Sequence, residues 1–598
     1  MAPPKTKAAK KSSSSPTKPI PPIDPSSSFT PESFERELKA LASKAQAQTT
    51  SAYLRSQASA YLSALALLTL AALSSNASQQ DLSPVYGAIP SARWHTQLVA
   101  AACFAGWSSN LFLGRALPFK PVLLLPVAAL YIPAAQFLLT RFAGALTAYW
   151  GPLVTEAVTL FPLVALTAAC VATYLDGADL SFLPSFVADA APGIGSYGFF
   201  KGVETWSWGL LGRYAGRTVL NTRVGLELVL GASYALLAPS KFLVLTLPAL
   251  LHTAVLDTRL PTAWAGERLN QTLGTEGWVI LDRRESLTGY VSVVESERDG
   301  FRLMRCDHSL LGGEWVKFIG KGQFKGNQVA EPVYGVFAML EAVRLVEMPK
   351  KIVDKDAKAL VVGLGVGTTP GALVAHGIDT TVVEIDPAVY DFAAKYFQLP
   401  KNHTAVIEDA VSYTSRLANQ RQGVFDYIVH DVFTGGAEPI PLFTLEFLQN
   451  LNTLLKPEGV IAINYAGDFS LPPPMVVVQT IRTVFPTCRI FREHPRDDEL
   501  VAKHGSDFAN MVIFCTKLAD RKLTFRQPNR RDLLNSPSRE HFLMPQHEVM
   551  DADFTVGRED GILTSNDTDK LVKWHEKSAL GHWSVMRTVL PPLVWENW

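Results

Sequence analysis

The stretch Leu360-Val-Val-Gly-Leu-Gly-Val-Gly-Thr-Thr-Pro370 decides the fold of the C-terminal half, because a buried strand leads directly into a glycine-rich turn and then a helix. Glycine allows positive φ angles and lets a ligand lie against the main chain, while the helix N-terminus presents free N–H groups. We therefore predict that Gly363, Gly365 and Gly367 bind a cofactor. The alternative is a tight strand-to-helix connection without a ligand.

Acidic residues end the next two strands of the same pattern. Glu384 closes the run Thr380-Thr-Val-Val-Glu384 and lies 21 residues after Gly363, where a carboxylate can accept hydrogen bonds from two ribose hydroxyls. Asp409 and Ala410 follow the third strand, where an adenine amino group lies in folds of this kind. For Asp409, the alternative role is to cap the next helix. The pattern predicts a nucleoside site.

The fourth strand, Phe425–Asp431, brings another acid to the same sheet edge. Ligands bind in open α/β sheets at the carboxyl ends of the strands, and an acid at the end of a buried strand rarely serves packing alone. We therefore predict that Asp431 is catalytic. Alternation along the strand points His430 to the opposite face of the sheet, so we interpret His430 as a core residue.

Strands and helices alternate through the region that contains these motifs. We expect a seven-stranded, mostly parallel, Rossmann-like sheet over residues 350–517. Nicotinamide binding is the main rival for such a sheet. Its fingerprint needs a third glycine or alanine where Thr368 stands, and none of the motifs supplies a hydride-transfer site. A nucleoside without a pyrophosphate fits better.

The N-terminal half has a different composition and predicts a membrane domain. Residues 1–256 contain 18 basic and 11 acidic residues between long uncharged stretches, and apolar residues make up 48% of the chain. We predict a disordered basic tail with a short helix over 1–50, and an all-α bundle of about six membrane spans over 57–256. The positive-inside rule places the tail in the cytosol, and an even number of spans then places the catalytic half there too. Glu227 is the one charged candidate inside a span, so transport has no clear residue signature.

Two further segments flank the predicted catalytic domain. Period-two alternation and an Asp299-Gly300 turn predict a small antiparallel β unit with a linking helix over residues 277–346. For residues 518–598 we predict helices and loops that form a C-terminal cover. The five cysteines include no close pair, so we expect neither a disulfide scaffold nor a zinc site, and a reducing compartment suits the soluble part. No metal-ligand cluster is indicated.

Residues 278–515 resemble the spermidine/spermine synthase family, whose catalytic module shares the nucleoside-binding fold of S-adenosylmethionine-dependent methyltransferases. The glycine-rich turn, Glu384-Ile-Asp386, Asp409-Ala410 and Asp431 occur in the family's order. The resemblance implies that Glu384 holds the ribose, that Asp409 holds the adenine, and that Asp431 acts on the amine nucleophile as a base or orienting group. It also implies an acceptor pocket, for which the candidate lining residues are Tyr334, Thr434 and Tyr465.

The sequence departs from the aminopropyltransferases of this family at three places. The glutamine expected in the N-terminal β unit is not evident near Thr288-Gly289. Val366 stands where the family has an acid that holds the donor's aminopropyl ammonium, and Thr434 stands where it has a second acid, three residues after the catalytic one. Loss of these acids removes the charge partners of a cationic donor and a polyamine. The glycine-rich loop also resembles the corresponding module of some protein methyltransferases.

These features predict a membrane-anchored transferase that moves an aminopropyl group from decarboxylated S-adenosylmethionine to an amine acceptor. The first alternative is S-adenosylmethionine-dependent methyl transfer to a lipid, a protein or a small amine. The second is a transporter or nucleoside-sensing membrane protein with a degenerate synthase domain. The expected partners are a small amine or other nucleophile and the lipid bilayer. We expect no nucleic acid and no metal, and homodimerisation is left open.

Overall fold

The structure is a computed structural model that describes residues 31–176, 184–318, 322–323, 329–432, 435–519, 521–555 and 561–598. Residues 1–60 and 61–598 form two units. The described part of the first unit is helical, and in it Glu35 and Lys39 form an ion pair at 2.9 Å across one helical turn. The predicted basic tail, up to residue 30, lies outside the described residues.

Helices occupy the described part of the N-terminal half. Their bounds are α1 Pro31–Tyr86, α2 Ala88–Ala92, α3 His95–Ala116, α4 Leu125–Thr140, α5 Ala143–Val158, α6 Leu160–Leu175, α7 Ser185–Tyr214, α8 Arg223–Leu237 and α9 Leu247–Leu256. Among the described residues, three segments are long and apolar enough to cross a membrane, namely Thr50–Tyr86, Pro121–Thr140 and Ala143–Leu175. The number of membrane spans, predicted as about six, stays a prediction. The stretch Val224–Ala238, for example, folds as helix α8, and a 15-residue helix rises about 22 Å, less than a bilayer core of about 30 Å.

An antiparallel β unit follows the helices, as the alternation and the Asp299-Gly300 turn predict. Its strands pair in the order β1-β2-β3-β4-β7, while β5 and β6 form a separate short pair. The bounds of this region are α10 Ala263–Leu273, β1 Trp278–Ser286, β2 Gly289–Ser296, β3 Phe301–Cys306, β4 Ser309–Trp315, β5 Lys317–Phe318, β6 Gly322–Gln323, β7 Glu331–Pro332 and α11 Gly335–Leu340.

The predicted mostly parallel sheet forms the next region, and the fold class is confirmed. Its strand order is β10-β9-β8-β11-β12-β14-β13; the pairs up to β12 are parallel, and β14 runs antiparallel to both of its neighbours. The bounds are β8 Lys358–Val362, α12 Thr368–Ala375, β9 Asp379–Glu384, α13 Pro387–Tyr396, β10 Thr404–Ile407, α14 Ala410–Gln420, β11 Phe425–Asp431, α15 Leu445–Leu454, β12 Leu455–Asp468, α16 Pro473–Val484, β13 Thr487–Arg492, α17 Asp498–His504 and β14 Phe508–Thr516.

The two faces of this sheet are buried in separate hydrophobic clusters. Val361 and Val429 face one cluster with Phe392 of α13, whereas Leu360 and Ile428 face the other. Neighbouring residues of a strand point to opposite faces, so strands buried on both faces read as continuous apolar runs. The carboxyl ends of β8, β9, β10, β11 and β12 therefore remain the place where polar side chains can gather.

Residues after the sheet form its C-terminal cover. Their elements are α18 Pro537–Phe542, β15 His547–Glu548, α19 Asp569–Val589 and α20 Pro592–Trp595. Strand β15 pairs antiparallel with β13 and so becomes an eighth strand at the sheet edge, one more than the seven predicted. A two-residue strand has no periodic pattern that the sequence could reveal.

Arg305 of β3 binds the end of the chain. Its guanidinium is fully buried, donates to the Val594 carbonyl oxygen, to the Asn597 carbonyl oxygen at 2.8 Å and to Ser292 Oγ at 2.7 Å, and lies 3.7 Å from the ring centre of Trp598. Charge-assisted hydrogen bonds of this kind are stronger than neutral ones. The C-terminal residues are thus part of the β unit's core.

The prediction that the cysteines form no disulfide is wrong for one pair. Cys488 of β13 and Cys515 of β14 lie directly opposite each other and form a disulfide, with their Cα atoms 4.2 Å apart. They are separated by 27 residues of sequence, and only the antiparallel register brings them together. The remaining cysteines, Cys103, Cys170 and Cys306, are free thiols.

Replacing Arg305 should destabilise the fold. An Arg305→Met change keeps most of the volume but leaves buried carbonyl oxygens without donors, and we expect the free energy of unfolding to fall by about 2–4 kcal/mol. The measurement is thermal or denaturant unfolding of the full chain. Arg298→Met, at an exposed arginine of the same β unit, is the control and should change stability by less than about 0.5 kcal/mol. Equal stability of the two variants would contradict the structural role of Arg305.

Candidate functional site

The glycine-rich turn between β8 and α12 is shaped by positive φ angles. Gly363 has φ 86° and Gly365 has φ 53°, which side chains rarely adopt. A Cβ atom on Gly363 would lie 2.1 Å from the carbonyl oxygen of Asp431, and one on Gly365 would lie 2.5 Å from that of Leu311. The turn therefore packs closely against its neighbours, and Gly367 is the N-cap of α12.

Glu384 ends β9 and holds this turn in place. Its carboxylate accepts hydrogen bonds from the backbone N–H of Leu364 at 3.0 Å and of Asp386 at 2.9 Å. The side chain is buried, and burial raises the pKa of Glu384 to about 7. A carboxylate oxygen accepts more than one hydrogen bond, so Glu384 can serve the turn and still accept from hydroxyl groups of a ligand.

Asp409 and Ala410 lie at the end of β10. The Asp409 carboxylate accepts from the backbone N–H of Ser412 at 2.9 Å and so caps α14, the alternative role that the sequence leaves open. Apolar surface lies next to the acids, because Ile385 is 42% exposed and Ile407 is 45% exposed. Exposed aliphatic side chains beside hydrogen-bonding groups suit a flat, partly apolar ring such as adenine.

Asp431 lies at the end of β11, beside Asn464 of β12. The Asn464 amide donates to Asp431 Oδ1 at 2.8 Å, and burial raises the pKa of Asp431 to about 6. The Asn464 side-chain oxygen is buried and has no hydrogen-bond partner among the described residues. A carboxylate and an unsatisfied amide oxygen therefore lie side by side, and both can accept from the N–H groups of a ligand.

His430 points away from these groups, as the alternation predicts. It is fully buried, its ring centre lies 4.9 Å from that of Phe443, and burial lowers its pKa to about 4. It belongs to the core.

The acceptor candidates lie in different surroundings. The Tyr465 hydroxyl is buried and donates to Glu438, whose other carboxylate oxygen lies 3.2 Å from His575 Nε2 of α19. Tyr334 precedes α11, and its ring packs against Phe337 with the ring centres 6.2 Å apart. Thr434 lies outside the described residues.

The structure thus brings Gly363, Glu384 and Asp431 to adjacent strand ends, and it adds two residues that the sequence analysis missed. Asn464 could have been suspected, since it ends the apolar run Val460–Ile463 at the same edge of the sheet. Glu438 gives no such signal, because it lies in a loop without a periodic pattern.

Val366 shows why this turn does not suit an aminopropyl donor. Its side chain is buried, and a Cβ atom on Gly312 of β4 would lie 2.8 Å from it. A valine packed against the β unit offers no charge to an ammonium group. In contrast, the closely approached turn, the Glu384 carboxylate and the aliphatic surface fit the adenosine part of a donor, which does not depend on a charge at this point.

Comparisons with known proteins agree with this chemistry. Residues 339–491 match the family model of the spermine/spermidine synthase domain. The chain is 46% identical over 545 residues to the N-terminal histidine N-methyltransferase of Emericella nidulans, an alignment that covers 89% of this chain and 96% of that protein. It is 28% identical over 200 residues to the eEF1A lysine and N-terminal methyltransferase of Xenopus laevis, covering 31% of this chain and 27% of that protein.

One solved structure is similar to part of the chain. The human methyltransferase-like protein 13 in complex with SAH matches with 24% identity and a TM-score of 0.26, covering 36% of this chain and 94% of that chain.

The prediction of aminopropyl transfer is wrong, and the methyltransferase alternative is supported instead. The relative that matches nearly the whole chain is a methyltransferase, and the acid expected at Val366 is absent. The enzyme is a transferase with a spermidine-synthase-like domain and depends on S-adenosylmethionine. The chain belongs to the family of the Emericella nidulans N-terminal histidine N-methyltransferase.

Proposed function

We propose that the enzyme methylates a nitrogen of an N-terminal histidine on a polypeptide. The support is the relative that is 46% identical over 89% of this chain, together with the paired acceptors at Asp431 and Asn464. An imidazole carries one N–H donor and one nitrogen with a free lone pair. The pair of acceptor oxygens suits the donor nitrogen of such a ring.

We assign the donor site to the ends of β8, β9 and β10. S-adenosylmethionine supplies a methyl group on a positively charged sulfur. Glu384 would accept hydrogen bonds from the ribose hydroxyls, Asp409 would lie beside the adenine, and Gly363 and Gly365 would admit the ligand close to the main chain. These residues act by binding and orienting, because displacement at a methyl group depends on the alignment of the reacting atoms.

We assign acceptor positioning to Asp431. Its carboxylate would accept the N–H of one imidazole nitrogen, which leaves the lone pair of the other nitrogen directed at the methyl carbon. As the N–C bond forms and the C–S bond breaks, the ring becomes positive, and Asp431 can stabilise this charge or take the N–H proton. Asn464 keeps the carboxylate in one orientation through its 2.8 Å hydrogen bond.

The direct test uses synthetic peptides and mass spectrometry. We expect the full-length enzyme to add one methyl group to a peptide that begins with histidine, and no methyl group to the same peptide with alanine first and histidine second. Fragmentation should place the methyl group on the first residue. Equal methylation of an internal histidine, or methylation of the α-amine in both peptides, would contradict the proposed specificity.

Glu384 can be tested by donor binding. A Glu384→Gln change keeps the shape but presents an amide to the two backbone N–H groups, and it removes the charge that strengthens hydrogen bonds to ribose hydroxyls. We expect the dissociation constant for S-adenosylmethionine to rise by roughly 10- to 100-fold, or about 1.4–2.8 kcal/mol. Calorimetry on the full chain measures it.

The control for this change is Asp379→Asn. Asp379 lies on the same strand at its amino end, is exposed, and pairs with Lys358 at 3.4 Å, so its replacement should leave donor binding unchanged. Binding that is equally weak in both variants would mean a loss of folding and would contradict a specific role for Glu384.

Asp431 should give the reaction a pH dependence. Burial raises its pKa to about 6, so the carboxylate form becomes populated as the pH rises through about 6, and kcat/KM should rise with it. The acceptor imidazole, with a pKa of about 6.5, loses its proton in the same range. Asp431→Asn should lower kcat by at least about 100-fold while donor binding stays intact.

The Asn464→Leu change distinguishes the titration of Asp431 from that of the acceptor imidazole. The hydrogen bond from Asn464 lowers the pKa of Asp431, so its removal should raise that pKa and move the midpoint of the pH–rate profile to higher pH. A substrate imidazole would titrate at the same pH in both enzymes. An unchanged midpoint would show that Asp431 does not control the profile.

A further inference from the structure

The disulfide between β13 and β14 bears on the compartment of the catalytic half. Cys515 is fully buried in the sheet core, and its bond to Cys488 joins neighbouring strands of the catalytic domain itself. Disulfides form and persist in secretory and extracellular compartments, whereas cytosolic thiols are kept reduced. A bonded pair within the catalytic sheet therefore favours an oxidising environment for this half of the chain.

Two turns of the same half carry acceptor sequences for N-linked glycosylation. Asn402-His-Thr404 lies between α13 and β10, and Asn566-Asp-Thr568 lies in the turn before α19. Both asparagines are exposed. The sequence Asn-x-Ser/Thr on an accessible turn is the substrate of the glycosylation machinery of the secretory lumen. Asn402 also lies at the amino end of β10, away from the donor site at its carboxyl end.

In two other Asn-x-Ser/Thr sequences, the asparagine side chain is hydrogen-bonded to other residues of the protein. Asn76 is buried in α1, where its amide donates to the Glu204 carbonyl oxygen at 2.7 Å. The Asn270 amide donates to the Ile280 carbonyl oxygen at 3.1 Å, and its side-chain oxygen accepts from the Ile280 N–H at 2.8 Å. These two residues provide internal controls, because neither amide is free for modification.

The direction of α1 places the catalytic half at its C-terminal end. The indole N–H of Trp583 in α19 donates to the carbonyl oxygen of Val85, near the last residue of α1. The stretch from Tyr61 to Tyr86 alone has 26 residues and rises about 39 Å, which exceeds the bilayer core. A membrane crossed by this stretch would separate the catalytic half from Tyr61.

Charge around this span indicates its orientation. The sequence before it contains Lys5, Lys7, Lys10, Lys11 and Lys18, and basic flanks remain in the cytosol. On the other side, Arg93 follows the span but is neutralised by Glu576 of the catalytic half at 2.6 Å. Arg213 and Arg217 at the end of α7 are also exposed on that side. The five lysines before α1 outnumber them, so the lysine-rich end carries the stronger cytosolic signal.

Other helix ends of the N-terminal half also lie beside the catalytic half or the chain's C-terminal residues. Among the described residues, these are the starts of α3, α5 and α8 and the ends of α4, α7 and α9.

We propose that the catalytic half faces the oxidising lumen of the secretory pathway and that Asn402 and Asn566 carry N-linked glycans there. The donor loop lies on the same side, so S-adenosylmethionine must be supplied to that compartment. The inference rests on the disulfide, the exposed acceptor sequences and the direction of α1. It does not require the acceptor to be a histidine.

The test uses the full chain with a C-terminal epitope tag, expressed in a eukaryotic host and recovered in sealed microsomes. We expect protease added outside to leave the tag intact until detergent opens the membrane. We also expect an N-glycosidase to reduce the apparent mass. Asn402→Gln and Asn566→Gln should each remove part of this shift, and the double variant should remove all of it.

Matched variants separate glycan loss from misfolding. Thr568→Ser preserves the acceptor sequence at Asn566 and should keep its glycan, while Asn270→Gln should leave the glycan pattern unchanged. Mass spectrometry without reduction should find Cys488 and Cys515 in one linked peptide. Digestion of the tag in sealed microsomes would overturn the orientation, and a protected tag without any glycosidase shift would overturn the two glycan sites.

Discussion

The carboxylate of Glu384 is the constraint on which the catalytic half depends. It accepts from the main chain of the turn after β8 and from the main chain after β9, so it fixes two neighbouring strand ends relative to each other. The next acid, Asp386, caps α13 and accepts from Thr288 N at 3.0 Å and Thr288 Oγ1 at 2.6 Å in the β unit. Two acids in one tripeptide therefore join the glycine-rich turn, the sheet and the β unit.

The sequence predicts the features of this region that are local. A buried strand, a glycine turn and a helix follow one another within residues 360–370, and the acids at Glu384 and Asp431 come directly after apolar runs. Asn464 is different, because its partner lies 33 residues away and only the parallel register of β11 and β12 places them together. The disulfide is hidden for the same reason. A pattern along the chain shows which face a residue takes but not which residue lies across from it.

The helical half departs most from what its hydropathy suggests. His95 Nδ1 lies 2.7 Å from Glu156, and Ser75 Oγ donates to Glu204 at 2.6 Å, so a buried polar network crosses α1, α3, α5 and α7. The average hydropathy of a segment does not reveal these polar residues, because each of them is isolated in an apolar stretch. Buried charges are costly unless they are paired, and their pairing here fixes the mutual arrangement of the helices. This network explains why the half contains charged residues that a simple anchor would not need.

Helix α19 connects this helical half with the loop that follows Asp431. Ser578 Oγ donates to the Gly436 carbonyl oxygen at 2.6 Å in the loop after Asp431, and a Cβ atom on Gly436 would lie 2.5 Å from His582 Cβ. One turn later Trp583 donates to Val85 at the end of α1. The loop after Asp431 is thus supported by a helix that also contacts the end of α1. The close contact at Gly436 leaves no room for a side chain between α19 and that loop. The helical half is therefore tied through α19 to the loop that follows Asp431, and the similarity to the Emericella nidulans enzyme likewise extends over 89% of the chain and beyond the synthase-like domain.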